Sequence, residues 1–479
     1  MTMWPPNPAT LKRPVYRSLA ESLIEAIKSG EVQQGDRLPT HRDLAETLGI
    51  SVQTVSRAYE ELHRLGAIAG MVGRGTFVRA AAADTRTPWH RIGDGDEVID
   101  FSMLTPVTGK IHEERMRATL AEMSRDLSSD VLFSFRPRAT LLSHSEAALG
   151  WLKRCGVKAD RAQLLPTNGN TSAMTVALMT AARPGELVVS EDLTHHTLKA
   201  LCSYLELGLH GLETDDEGIV PQAFESACRS HKVRVLFVMP TGLNPQATMM
   251  GLARRQALVD IARRHDVAIV EDDAWGPIQP ERPPPIVALA PERTFYFTSL
   301  TKPLLPGLRY GWLVSPETLV SATANRHLVT SWMATPLMAE IGTRWLKDGT
   351  ADAGTITNAW RPDSIIGCRI PEKLVLLDID PRHGGDIVWN ALMDALARRN
   401  GLVTEALGAF SPRSSPNGMH VWLPLPRQWN EDAFVAHARS EGVAVAAGSA
   451  FAVDLPTHAP GIRKGARLRR AEICGSKLS

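Results

Sequence analysis

The spacing of hydrophobic and polar residues changes near residue 98 and divides the chain into two regions. Between residues 14 and 79, apolar positions recur at helical spacing in "VYRSLAESLIEAIKSG", "THRDLAETLGI" and "SVQTVSRAYEELHRLG". Thr40 and Ser51 are the expected N-caps, and Gly49 provides a tight turn between the second and third helices. "AIAGMVGRGTFVRA" then has the pattern of two short strands around a glycine turn. The pattern predicts three helices and a β-hairpin.

From about residue 98, short β-branched runs such as "VRVLFVMP" and "RTFYFTSL" alternate with helical stretches. This alternation is typical of an α/β domain, in which helices cover a mostly parallel sheet. Residues 81–97 are small, polar and turn-rich, as in a linker. We therefore predict a helical unit at 12–80, a linker at 81–97, an α/β domain at 98–330 and a smaller α+β lobe at 331–479.

Bulk composition limits the possible functions. The 479 residues carry a net charge of +1, with 44% hydrophobic and 22% charged residues, which is ordinary for a soluble protein. A nucleic-acid surface would have to be local, because there is no overall basic excess. The five cysteines form no C-x-x-C pair, so a reducing compartment is favoured over disulfides or a zinc site. Without an apolar leader or a run of 18 apolar residues, we expect a cytoplasmic protein with no membrane partner.

The helical unit has the element order of a helix-turn-helix. Its third helix would lie in the major groove of double-stranded DNA, where Gln53, Thr54 and Arg57 would face base edges or phosphates. The hairpin would be a wing with Arg74 at its tip. Residues 1–80 hold only ten lysines and arginines against eight acidic residues, so a three-helix domain that docks a protein is the alternative.

The segment "GDRLPTHRDLAETLGISVQTVSRAYEELHRLGAI", followed by "GRGTFV", closely resembles the winged helix of GntR-type bacterial regulators. The resemblance spans the whole helical unit. It implies a protein that binds operator DNA, with Arg42, Arg57 and Arg74 in contact with that DNA.

In the second region, "FTSLTKPLLPGLRYGWL" places Lys302 after a predicted strand, with Arg309 seven residues further on. Two buried cations are costly unless an anion neutralises them. A lysine amine can form a Schiff base with an aldehyde cofactor such as pyridoxal 5′-phosphate (PLP). PLP would also need a phosphate cradle, a carboxylate at the pyridine nitrogen, a donor near the 3-oxygen and a ring to stack on.

The phosphate cradle has a candidate in "TNGNTSAM", where a glycine turn opens a helix. Gly169, Asn170 and Thr171 would hold the phosphate there, helped by Ser299 and Arg309. The alternative is an ordinary capped helix start.

The other three requirements also have candidates. Asp272 in "VAIVEDDAW" follows a strand, where α/β proteins bind ligands. The alternatives for these acids are a solvated loop or a metal site, and the loop is favoured because no histidine lies at ligand spacing. Asn244 in "PTGLNPQA" is the donor, although Asn-Pro alone is only a turn signal. His195 or His196 is the stacking ring, with a surface or core histidine as the alternative.

The order of these pieces resembles the fold-type I aminotransferase family, and "SLTKPLLPGLRYGWLVSP" resembles its lysine segment. With the winged helix, residues 12 to about 345 are similar to the MocR/GabR group of GntR regulators. The resemblance implies Lys302 as the Schiff-base lysine, Asp272 at the pyridine nitrogen, Asn244 at the 3-oxygen and Arg309 at the phosphate. It also implies a head-to-tail homodimer that senses PLP or a small amino compound. Relatives in that group control amine, amino-acid, rhizopine or vitamin B6 metabolism.

Two single residues and two C-terminal segments depart from that group. Trp275 stands where a tyrosine is usual and has no hydroxyl, and His195 is a smaller ring than the usual stacking residue. Residues 355–411 contain prolines and adjacent glycines and cannot form one long helix. Residues 463–479 are basic where an apolar strand and helix are expected. Family enzymes bind a substrate carboxylate with an arginine near here, so the resemblance implies Arg463 for an effector carboxylate, with Arg467 and Arg469 as nearby alternatives. Two alternative hypotheses explain these segments: a reading-frame shift in the recorded sequence, or real divergence from the group.

Three functions remain open on the sequence. The favoured one is a PLP-dependent transcription regulator. The second is an active aminotransferase that carries a regulatory DNA-binding domain. The third is a DNA-binding regulator whose second domain is only a dimer scaffold, although an empty pocket with this charge would be unstable.

Overall fold

A computed structural model describes residues 4–28, 32, 36–64, 67–71, 75–78, 99–104, 106, 108–133, 135, 142–242, 244–279, 281–348, 385–414, 418–426, 429, 431–453 and 461–465. The chain forms two compact units, Met1–Arg86 and Thr87–Ser479. The predicted linker at 81–97 lies outside the described residues.

The first unit has the predicted three helices and hairpin. They are α1 Val15–Lys28, α2 His41–Leu48, α3 Val52–Arg64 and the antiparallel strands β1 Ile68–Met71 and β2 Gly75–Val78. Thr40 Oγ1 accepts a hydrogen bond from Asp43 N at 3.3 Å, and Ser51 Oγ accepts one from Thr54 N at 3.1 Å, so both predicted N-caps are confirmed. Gly49 ends α2 with a φ of 62°, a left-handed conformation that glycine adopts without strain.

The second unit contains a seven-stranded sheet. The strands of this unit are β3 Ile99–Asp100, β4 Leu164–Thr167, β5 Leu187–Glu191, β6 Gly208–Leu212, β7 Thr214–Asp215, β8 Gly218–Ile219, β9 Val233–Val238, β10 Ala268–Asp272, β11 Thr294–Ser299, β12 Gly311–Val314, β13 His420–Pro424, β14 Val443–Ala444, β15 Ala446–Ala447 and β16 Gly461–Gly465. The large sheet has the order β4-β12-β11-β10-β9-β5-β6. Among these seven described strands, β12 alone runs in the direction opposite to the other six.

Helices cover both faces of this sheet. The helices of the second unit are α4 Lys110–Asp126, α5 Ser129–Leu132, α6 Leu142–Arg154, α7 Asn170–Ala181, α8 Leu198–Tyr204, α9 Pro221–Ser230, α10 Leu252–Arg264, α11 Ile286–Leu289, α12 Val320–Ser331, α13 Pro336–Lys347, α14 Gly385–Leu407 and α15 Glu431–Ser440. Strand residues alternate between the faces: Val270 packs in the same cluster as α7, whereas Ile269 packs in that of α9 and α10. Both faces are buried, which explains the continuous apolar runs in the sequence.

The last part of the chain forms the C-terminal lobe, defined here as α14, α15 and strands β13 to β16. Helix α14 begins at Gly385, the second of two adjacent glycines, and residues 355–384 of the segment that departs from the family pattern lie outside the described residues. Strand β3 pairs in parallel with β14 of this lobe. In the ranges described above, no helix is long and apolar enough to cross a membrane. The predicted winged helix and α/β fold are confirmed.

Candidate functional site

Most of the predicted site residues gather at one edge of the large sheet, where its parallel strands end. They are Gly169 after β4, His195 after β5, Asn244 after β9, Asp272 at the end of β10, and Lys302 after β11. Parallel strands bring their carboxyl ends to one edge, and α/β ligands bind there. Because β12 runs the opposite way, Arg309 reaches the same edge just before that strand begins.

The side chains at this edge line one cavity of about 250 Å³. This volume is close to the lower end of the range of roughly 300–1,000 Å³ that holds a small molecule. The predicted residues that line it are Asn170, Thr171, His195, Asn244, Asp272, Trp275, Ser299, Lys302 and Arg309. The other lining residues are Ser102, Met103, Leu104, His196, Met239, Ala274 and Thr301. Gly169 lies beside the cavity, since an added Cβ would come within 3.1 Å of Arg309 Cζ.

Lys302 is half-buried and points into the cavity. Its Nζ donates a hydrogen bond to Leu104 O. The same Nζ lies 5.1 Å from the centroid of the Trp275 ring, within the range of a cation–π contact. The amine is therefore held by a neutral oxygen and an aromatic ring.

Asp272 is the buried carboxylate of the cavity. Its Oδ1 accepts hydrogen bonds from Ala274 N at 3.0 Å and from Asn170 Nδ2 at 3.2 Å. Burial raises the pKa of Asp272 to about 7, and these two hydrogen bonds lower it only in part. A raised pKa at a buried cavity residue is typical of a functional group that waits for a charged partner. Asn170, predicted at the phosphate, also touches the opposite end of the site.

The two acids that flank Asp272 face away from the cavity. Glu271 accepts hydrogen bonds from Ile286 N at 2.8 Å and Val287 N at 2.9 Å, at the start of α11. Asp273 pairs with Arg282 Nη1 at 2.5 and 2.6 Å and accepts a hydrogen bond from Tyr296 Oη at 2.6 Å.

All three acids are buried, so the favoured alternative of a solvated loop is wrong. The alternation of side chains along β10 separates Asp272 from its neighbours and would have indicated this arrangement.

The phosphate end of the predicted site combines a helix start with a cation. Gly169 is the N-cap of α7, with a φ of 82° and no side-chain cap, and Asn170 and Thr171 of the first turn line the cavity. Arg309 is exposed and has a φ of 45°, a left-handed conformation that is strained for arginine. Such strain clusters at ligand sites, where the surrounding structure holds it in place. Ser299 is buried at the end of β11 and lines the same cavity.

The two remaining predicted contacts lie on other walls. Asn244 is buried and follows β9. His195 and His196 both line the cavity, and their rings stack with centroids 4.5 Å apart. His195 Nδ1 lies 2.8 Å from Thr197 Oγ1, which fixes the ring. Trp275 is buried and replaces the tyrosine usual in the resembled group.

The donor set fits PLP. The cavity holds an amine, a guanidinium at a helix start, a buried carboxylate and a buried amide. Within the described residues, Arg309 forms no ion pair, and Asn170 Oδ1 and Thr301 Oγ1 are buried without a hydrogen-bond partner. Buried polar atoms normally have partners, so these groups indicate a polar ligand.

The predicted DNA-contacting residues lie on the first unit. Arg42, Gln53 and Arg57 are exposed, and Thr54 Oγ1 lies 2.8 Å from Ser51 Oγ. Arg57 Cζ is 4.6 Å from the centroid of the Tyr16 ring, which orients the guanidinium.

Two predicted residues cannot be placed in this way. Arg74 lies outside the described residues. The backbone of Arg463 is in β16, opposite Trp422 and Ala446, but its side chain lies outside the described part.

Comparisons with known proteins agree with both units. The family model "Bacterial regulatory proteins, gntR family" matches residues 15–78, and "Aminotransferase class I and II" matches residues 107–356. The model "Bifunctional DNA primase/polymerase, N-terminal" matches residues 304–433. Residues 304–348 of that range form β12, α12 and α13 of the aminotransferase-type fold, so this third match defines no separate fold there.

Similar proteins include the HTH-type transcriptional regulators YdeF of Bacillus subtilis and YdcR of Escherichia coli. YdeF is 24% identical over 94% of this chain and 89% of its own length, and YdcR is 24% identical over 91% and 92%. The fold is similar to that of the kynurenine aminotransferase of Pyrococcus horikoshii, solved in complex with PMP (TM-score 0.64, 22% identity, 78% of this chain and 86% of that one). It is also similar to the multiple substrate aminotransferase of Thermococcus profundus (TM-score 0.65, 18% identity, 78% and 88%).

The winged helix and the cavity together define a GntR-type transcriptional regulator of the MocR type with an aminotransferase-like domain, and homologues of that domain are PLP-dependent. The chain belongs to the aminotransferase class I and II family, whose model covers just over half of it, and it carries the DNA-binding domain of the gntR family.

Proposed function

We propose that this regulator holds PLP at Lys302 and changes its binding to operator DNA in response to PLP or a small amino compound. The observation that carries the proposal is the meeting of Lys302, Asp272 and Arg309 in one cavity. The chain that forms this cavity also carries helix α3, on which Gln53 and Arg57 are exposed. A ligand that alters the bonding of Lys302 must favour one DNA-binding state, typically by about 1–3 kcal/mol.

Each residue of the cavity has a role in this proposal. When bound, PLP supplies an aldehyde carbon for an amine and an electron-withdrawing ring. Lys302 Nζ is the amine. Asp272 would hold the proton of the pyridine nitrogen at Oδ2, because Oδ1 already accepts from Ala274 and Asn170.

The remaining contacts complete the same proposal. Asn244 would donate to the 3-oxygen, and His195 would stack on the ring. Gly169, Thr171, Ser299 and Arg309 would bind the phosphate. Arg463 is proposed to bind the effector carboxylate.

Cofactor attachment is tested on the full chain. The protein is incubated with PLP, reduced with borohydride and digested, and peptide masses locate the added group. We expect the group on Lys302, and Lys302→Ala should remain unlabelled. Lys199→Ala is the matched control, because Lys199 is also half-buried and donates to a carbonyl, that of Val453 at 3.0 Å. An unlabelled Lys302 in excess PLP would instead support the scaffold reading.

DNA recognition is tested by selecting binding sequences from a randomised duplex pool. Gln53→Ala and Arg57→Ala should each weaken binding by about 1–3 kcal/mol and relax base preference at one position. Arg17→Ala is the control, because Arg17 is 69% exposed on α1 and pairs with Glu21. Equal selection by all four proteins would contradict the assignment of α3 as the recognition helix.

An active aminotransferase is the second candidate, favoured by the shared cavity of Lys302 and Asp272. The absence of a hydroxyl at Trp275 speaks against efficient turnover. The measurement is amino transfer from a panel of amino donors to a keto acid. Many turnovers per site would support the enzyme, whereas a single turnover would support the sensor.

We also propose that two chains pair head to tail in the cytoplasm, as the family resemblance implies. Light scattering during size-exclusion chromatography should give twice the mass of 52.3 kDa. A monomer that still binds its selected DNA would contradict the dimer.

A further inference from the structure

Residues 99–104, called the strap here, connect the linker region to the aminotransferase-like domain. At its start, Ile99 N donates to Gly442 O and Phe101 N donates to Ala444 O, both at 2.8 Å. These bonds belong to the parallel pairing of β3 with β14. The first end of the strap is therefore fixed to the C-terminal lobe.

The middle of the strap has its own supports. Phe101 is buried in a cluster with Leu425 and Val445 of the C-terminal lobe. Asp100 Oδ1 accepts hydrogen bonds from Ser102 N at 2.8 Å and Ser102 Oγ at 2.6 Å, which turn the chain toward the cavity. The strap thus has a defined path over which a change at one end can act on the other.

The second end of the strap lies in the cavity. Ser102, Met103 and Leu104 line it, and Leu104 O accepts the hydrogen bond of Lys302 Nζ. The Leu104 side chain packs against a cluster that includes Trp275 and Leu396. One residue therefore contacts the lysine and packs against the cluster that joins the aromatic wall to helix α14.

We propose that Leu104 is a positioning residue for Lys302 and that the strap conveys the bonding state of this lysine to the linker. The proposal rests on the function proposed above, in which an aldehyde bonds to Lys302. The ammonium group has three N–H donors. To condense, it releases one proton, and its remaining two hydrogens leave with the aldehyde oxygen as one water while a C=N bond forms. The hydrogen bond to Leu104 O is then lost.

The consequence follows from the connectivity of the chain. Without the bond to Lys302, the strap keeps the β3–β14 pairing, the Asp100–Ser102 hydrogen bonds and its apolar contacts, but it loses its hydrogen bond to the lysine of the cavity. Along the chain the strap follows the predicted linker at 81–97 after one residue, so a change in the strap acts on the segment that leads to the winged helix. Bonding at Lys302 can therefore affect DNA binding without any ligand contact to the first unit.

Hydrogen exchange on the full chain tests this proposal. Amide exchange at Ile99 and Phe101 is measured before and after PLP is added without borohydride, because reduction would give a secondary amine that again carries N–H donors. The amides of β13 are the internal reference. A parallel sample is reduced with borohydride only to show that PLP is attached. We expect exchange at both strap amides to rise about tenfold, which is the effect of losing one hydrogen bond to a charged group. Lys302→Ala should show the higher rate with and without PLP.

Two further variants distinguish a specific effect on the strap from a general loss of packing. Leu104→Ala keeps the backbone oxygen that Lys302 contacts but removes the packing that positions it. It should therefore raise strap exchange before PLP is added and reduce the PLP-dependent difference, while borohydride still fixes PLP on Lys302. Leu209→Ala removes an equally half-buried leucine from β6 and should leave the difference intact. Fixed PLP with unchanged or slower strap exchange would overturn this inference alone. Failure to fix PLP would overturn the proposed function and this inference together.

Discussion

The two faces of strand β10 carry acids in opposite surroundings. Behind the cavity, Glu271 is satisfied by two backbone N–H groups, and Asp273 by Arg282 and Tyr296. In the cavity, the hydrogen-bond donors to Asp272 among the described residues are two neutral groups, Ala274 N and Asn170 Nδ2. On the rear face, both acids have hydrogen-bond partners in the chain itself and stabilise the fold. The cavity face leaves a carboxylate, an amine and a guanidinium for a ligand, so the two faces should respond differently to mutation.

The largest expected effect comes from breaking the rear face. Arg282→Met removes the partner of Asp273, whose side chain has no solvent exposure. We expect a loss of about 3–5 kcal/mol in the free energy of unfolding, because an unpaired charge remains buried. Urea titration measures this loss in the free energy of unfolding. The matched control is Arg263→Ala, which breaks an exposed pair with Glu292 and should cost no more than about 1 kcal/mol. Equal losses would erase the distinction between the faces.

The cavity face should instead show a pH effect. Burial raises the pKa of folded Asp272 to about 7, above an unfolded value of about 3.9. The folded protein therefore holds a proton that the unfolded chain has released between roughly pH 4 and 7. The stability contributed by Asp272 is present below about pH 4 and is lost as the pH rises through about 7.

Asp272→Asn replaces the titrating carboxyl group with an amide, so this variant lacks the pH-dependent contribution to stability. The free energy of unfolding of the wild type relative to this variant should fall by on the order of 1 kcal/mol per pH unit across that window. Denaturant titrations at several pH values check this slope. A difference that rises with pH would mean that Asp272 is already paired with a cation.

A smaller effect is expected at the phosphate end. Gly169 has φ 82° and ψ 177°, a region that only glycine occupies readily. Gly169→Ala should cost about 1–3 kcal/mol in unfolding free energy and weaken PLP binding, because its Cβ would press on Arg309. Gly185→Ala is the control: its φ is 83°, but an added Cβ meets nothing within 4 Å. Similar PLP affinity in both variants would remove Arg309 from the phosphate site.

The smallest effect should come from Asn170. Asn170→Ala deletes the 3.2 Å hydrogen bond to Asp272 and should weaken PLP binding by about 1 kcal/mol. Unfolding free energy should change little, since Asn170 is not fully buried. Equilibrium titration of PLP checks the affinity. Asn168→Ala, which loses bonds to Met333 and Thr335 outside the cavity, should leave it unchanged.

Local sequence patterns were sufficient to predict the winged helix and the site residues at the ends of the strands. The caps at Thr40 and Ser51, and the positions of Asp272 and Lys302, depend on residues within a few positions of each other. The strap was not predictable, because Leu104 and Lys302 are 198 residues apart. The partner of Asp273 was also missed, because Arg282 lies in a proline-rich turn with no periodic pattern.

The reversed direction of β12 has a consequence for the order of folding. Strands β11 and β12 are antiparallel neighbours that pair from Ser299 opposite Gly311, so they can join through a short connection. The parallel strands that carry Asn244 and Asp272 must first complete long crossovers, and non-local pairings form slowly. Lys302 and Arg309 both lie inside the short connection. We therefore expect the cationic half of the cavity to assemble early in folding, before the acid that faces it arrives.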